Sequence, residues 1–115
     1  MTAEAMANVM SEIIARSSSP SLPELIREVG PQAEGDLDCV SGTDPNIILW
    51  HHVSDTFIEA LSLLLDQERA YLHPVSPLTL LNSPHLVLPL VKRPPKNGYR
   101  DPHWLPVVLS PRPPQ

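Results

Sequence analysis

One cysteine, four glycines and only three basic residues in the first 85 positions are few for a chain of 115 residues. Cys39 alone can form no internal disulfide, and no C-x-x-C accompanies it, so a reducing, cytoplasmic setting is expected. Four glycines leave no glycine-rich phosphate loop, and neither a G-x-S-x-G turn nor a serine beside a plausible base occurs. No apolar run approaches the roughly 18 residues of a membrane-crossing helix. The opening Met1–Met10 lacks the basic stretch of a secretory leader. Cys39 lies among acids that would raise its thiol pKa and blunt it as a nucleophile. These absences point away from an enzyme.

What is present is a 42% hydrophobic, 18% charged chain with 15 prolines, enough for one core with extended edges. Charge divides along the chain. Residues 1–85 carry 12 acids against Arg16, Arg27 and Arg69, whereas residues 86–115 carry Lys92, Arg93, Lys96, Arg100 and Arg112 against Asp101 alone. A basic ending on an acidic body suggests a partner of its own, or a tail lying back on its own or a neighbouring body.

Met6, Val9, Met10, Ile13 and Ile14 recur at helical spacing and predict an amphipathic helix over 3–16. Ser21-Leu22-Pro23-Glu24 reads as a capping box opening a short second helix that Gly30-Pro31 stops. Residues 32–45 show no periodicity and read as a loop. Asn46–Trp50 reads as a strand buried on both faces. A third helix follows, capped by Ser54 or Asp55, with Phe57, Ile58, Leu61, Leu64 and Leu65 on one face. Aliphatic runs at 70–75, 78–81 and 86–91 read as strands, the last two spaced for a hairpin, with 105–109 as a further edge strand or strap.

This order, two helices, a short strand, a long helix and a hairpin, resembles a winged-helix domain over residues 3–91, with the phrase Ser54 to Pro74 carrying the likeness. The fold expected is a small winged-helix-like α+β domain over 1–91 followed by an extended proline-rich arm over 92–115. A small α+β domain with its helices on one face of a meander is the rival. The resemblance implies that the third helix is offered to a DNA groove. Its solvent face carries Asp55, Glu59, Ser62, Asp66 and Gln67, which phosphates repel, so a protein-docking use fits better.

The arm is the stronger nucleic-acid candidate. Lys92, Arg93, Lys96 and Arg100 can follow phosphates, Tyr99 can stack on a base, and Pro94-Pro95 stiffen the segment. Docking on a protein and an inert linker are the competing uses. Trp104 needs a place to bury its ring, in the core of the body or in a partner. One P-x-x-P spacing, Pro111 to Pro114, is thin support for a proline-recognition partner. His51, His52, His73, His85 and His103 lack metal-ligand spacing and are expected at strand ends, and Asp36-Leu37-Asp38 reads as solvated charge. No metal, cofactor, small-molecule substrate or membrane partner is therefore expected, and a protein partner or homo-oligomer is.

The reading is a non-enzymatic accessory or regulatory module that contacts nucleic acid or a nucleoprotein partner through its basic arm. Its alternative is an adaptor that binds another protein through Asp55, Glu59, Asp66 and Trp104. A small hydrolase or metal enzyme is the minor alternative.

Overall fold

Three α-helices and five short strands make up the α+β fold of residues 1–114, described by a computed structural model. α1 (Ala3–Arg16) begins where the Thr2 hydroxyl accepts the Ala5 N–H at 3.1 Å, and it buries Met6, Ala7, Met10, Ile13 and Ile14. α2 (Leu22–Val29) starts at Ser21, whose Oγ accepts the Glu24 N–H at 3.4 Å and donates to Glu24 Oε1 at 3.0 Å. α3 (Asp55–Asp66) is capped by Ser54, whose Oγ accepts the Phe57 N–H at 3.1 Å and donates to the Gln32 carbonyl. Each cap satisfies an N–H that the first helical turn leaves without a partner. α1 packs on α3, and the apolar stripes of all three helices meet around Phe57, Met6, Met10, Leu25 and Leu64, all fully buried.

β1 (Glu34–Val40) pairs antiparallel with β2 (Ile47–Val53), and β2 pairs parallel with β4 (His103–Trp104). β3 (Tyr71–Pro74) pairs antiparallel with β5 (Val107–Ser110), from Tyr71 opposite Ser110 to Pro74 opposite Val107. Ile47 to Trp50 are all buried, as the apolar run requires of a central strand.

Three local expectations are corrected. Half of 32–45 is strand β1, because pairing with β2 sets its backbone while all its side chains but Cys39 stay at least partly exposed. An edge strand with an irregular register leaves no alternation to read. Within it, a Cβ on Gly35 would lie 2.6 Å from the Val53 carbonyl, so the close approach of the two strands requires glycine. Residues 78–81 form no strand: Pro77–Leu80 is a 3-10 turn, opened by Pro77 and by Ser76 Oγ accepting the Leu78 N–H. The hairpin with 86–91 is consequently not formed. That run instead lies beside β4, with Leu90 bridged to Trp104. The far end of the C-terminal segment is fastened: 105–109, read as an edge strand or strap, contributes β5, and His103–Trp104 pairs with β2 as β4.

Candidate nucleic-acid interface

Four of the five cations of the C-terminal segment stand on the loop between Leu90 and β4, and Arg112 follows β5. Lys92, Arg93, Pro94, Pro95, Lys96, Asn97 and Arg100 are all exposed. The loop turns at Pro95–Gly98, where the Gly98 N–H donates to the Pro95 carbonyl at 3.0 Å and Gly98 takes a φ of 83°. A Cβ on Gly98 would meet Asp44 Oδ2 at 3.1 Å, so space and backbone conformation both call for glycine here.

Asp44 holds this turn against the body. Its buried carboxylate accepts the Tyr99 N–H through Oδ2 and the Asn46 N–H through Oδ1, both at 2.9 Å. Asn46 Nδ2 donates to the Tyr99 carbonyl at 2.7 Å, which closes a two-sided clasp on one residue. The Tyr99 ring stacks on His103 with centroids 3.7 Å apart, and its hydroxyl accepts the Lys92 N–H at 3.3 Å. The His103 N–H donates to the Asn46 carbonyl at 2.7 Å, so strand β4 fixes the far end of the loop.

Charge is arranged to face outward. Asp44 is satisfied by backbone N–H groups, and no ion pair among the described residues involves Lys92, Arg93, Lys96 or Arg100; Arg16 with Glu28, at 3.7 Å, is the pair that forms. The four cations therefore project from a loop whose backbone is clasped at Tyr99, so little backbone ordering remains to be lost there on binding a polyanion.

Comparison with protein-family models, with curated proteins and with solved structures gives no match to this chain.

The other residues singled out by the sequence lie apart from this loop. Asp55, Glu59 and Asp66 are exposed on α3, and none is in an ion pair among the described residues. Trp104 is 3% exposed and lies in the chain's own core, 6.3 Å from the Trp50 ring and 5.3 Å from that of His85. Its Nε1–H has no hydrogen-bond partner among the described residues. Burial of the ring fastens the end of the basic loop and removes Trp104 as a surface anchor. Pro111 to Pro114 are exposed, with the Arg112 carbonyl 2.7 Å from His73 Nε2. Cys39 is buried, and burial rather than neighbouring acid pushes its thiol up to about 11.

Sequence reasoning missed Asp44, Asn46 and His103. Asp44-Pro45-Asn46 is a recognisable Asx-turn phrase, but its partner Tyr99 lies 55 residues away and leaves no local signal.

Proposed function

We propose that this protein is a non-enzymatic accessory or regulatory module that contacts nucleic acid, or a nucleoprotein partner, through the loop Lys92–Arg100. The observation that carries the reading is four exposed cations without ion-pair partners among the described residues, on a loop clasped by Asp44 and Asn46. Tyr99 contributes one ring face at most to a base, because His103 covers the other. The winged-helix likeness belongs to the same proposal, supported by a strand before α3 and an antiparallel pair involving the strand after it. The acidic outer face of α3 argues against that helix as the groove reader. A cytoplasmic location completes the reading; no helix among the described residues is long and apolar enough to cross a membrane.

Fluorescence anisotropy with duplex and single-stranded DNA at two salt concentrations tests it. Four phosphate contacts give a log–log salt slope of roughly −3.6 on duplex, or a loss of roughly 150-fold between 50 and 200 mM salt. Replacing any one of Lys92, Arg93, Lys96 or Arg100 by alanine should flatten the slope by about 0.9. Binding that ignores salt, or that survives removal of all four charges, would overturn the proposal.

The adaptor reading is favoured by a different observation, the exposed Asp55, Glu59 and Asp66 on α3. It requires a basic partner surface, and charge reversal at Glu59 and Asp66 would then abolish complex formation while DNA binding persists.

A further inference from the structure

β2 departs from strand geometry at one residue. His52 has a φ of 54°, in the left-handed region that side-chain-bearing residues enter only at a cost. Ser19 and Glu68 share this conformation, but Ser19 lies in the reversal between α1 and α2, and Glu68 closes the end of α3. His52 ends no helix and turns no hairpin. It sits inside β2 opposite the irregular end of β1, where Glu34 and Leu37 both face Val53. Bulges of this kind re-aim side chains.

The re-aiming has a specific result. Regular alternation sends consecutive side chains to opposite faces of a strand. Here three consecutive residues, Trp50, His51 and His52, line one cleft of about 680 Å³, and the rings of His51 and His52 lie 4.1 Å apart. Arg27, from the last turn of α2, lines it as well. Its apolar walls include Ile26, Trp50 and Pro84, and its volume falls in the range of small-molecule sites.

Two imidazoles in contact and a guanidinium on the wall of the same cleft offer one another no opposite charge. The remaining charged or titratable neighbours are Glu34 on the cleft wall, Asp38 of β1, which acts on His51, and His85, which shares a second cleft with His51. A dianion placed among these donors would reverse the balance. Because burial, then His52, holds the His51 imidazole below its ordinary value, an arriving dianion would raise it and binding would take up a proton.

We propose that the cleft between α2 and the bulged end of β2 binds a phosphate monoester, with the phosphoryl group on Arg27, His51 and His52 and the organic body against Ile26 and Trp50. The site is separate from the basic loop, and it explains why histidine occupies a position where glycine would be relaxed.

The test is a titration of the full chain with inorganic phosphate and with phenyl phosphate, followed by the imidazole NMR signals at constant ionic strength. Saturable shifts at His51 and His52 are expected, with phenyl phosphate the tighter ligand. Affinity should pass through a maximum near pH 6 to 6.5, roughly where imidazolium and phosphate dianion coexist. Arg27→Ala should weaken binding about tenfold, as expected for loss of one charge-assisted contact. His52→Gly separates folding from binding, because it relaxes the backbone, raises the Tm and still weakens binding about tenfold. Shifts that do not saturate, or His52→Gly and Arg27→Ala proteins that bind like the parent, would overturn the proposal. So would loss of phosphate binding on Lys92→Ala and Arg93→Ala, which would assign the anion to the loop. A 5′-phosphorylated dinucleotide compared with its 5′-hydroxyl form tells a strand end from a free monoester as the source of the phosphoryl group.

Discussion

Replacing Asp44 by alanine would release the basic loop without touching any of its cations. The carboxylate accepts two backbone N–H groups, from Asn46 and Tyr99, each at 2.9 Å, in a site that is 8% exposed. Hydrogen bonds to a charged group contribute about 1.5 to 3 kcal/mol each, and a buried N–H left without a partner costs a similar amount. If both N–H groups stayed buried, the loss would be about 3 to 6 kcal/mol. The turn can instead lift off and hydrate them, so global stability should fall by only about 1 to 2 kcal/mol, with the rest appearing as local opening. Asp44→Asn keeps one acceptor oxygen and should lose about half as much. Hydrogen exchange at the Tyr99 and Gly98 amides, beside urea denaturation, measures the two parts. DNA binding by Asp44→Ala should weaken while its salt slope stays the same, because the number of cations is unchanged and only their ordering is lost. Unaltered exchange at Tyr99 in Asp44→Ala would refute the clasp.

Three further predictions follow from single residues. Burial raises the Cys39 thiol to about 11, so at pH 8 iodoacetamide should modify the native protein roughly a hundredfold more slowly than the urea-unfolded chain. The stabilisation from keeping this thiol neutral is present below the unfolded value and is lost as pH rises toward 11. His51 is held below its ordinary value by burial and by His52, so on acidification from pH 6.5 the unfolded chain binds the proton first and stability falls. Denaturation curves of His51→Gln should lack that loss. Glu68 follows α3 with a φ of 55°, and Glu68→Gly should stabilise the fold by about 1 kcal/mol in thermal unfolding, because glycine pays no penalty there.

Legibility in the sequence followed the range of the interaction. Ser21 and Ser54 announce their helices because a cap and its N–H lie three residues apart. Ile47 to Trp50 announce a buried strand because burial on both faces demands an unbroken apolar run. β1 gave no such sign, since an irregular edge strand has little apolar surface to hide. Residues 78–81 looked like a strand because Leu78, Leu80 and Leu81 are aliphatic, yet Leu78 and Leu81 are exposed and Pro77 winds them into a turn. In the candidate site the cations were visible as composition, whereas the clasp that orders them was not.

The division of charge between an acidic body and a basic ending, the three helices with their apolar faces, and the caps of the second and third were determined by the sequence alone. They rest on interactions within one turn of helix or on composition. Tertiary structure decided what pairs across distance: β3 with β5, β2 with β4, and Asp44 with Tyr99, 55 residues apart. Such partners are selected by which surfaces the packed core brings together, and nothing local to either partner records the choice. The basic ending thereby became a loop held by its middle and anchored by the buried Trp104.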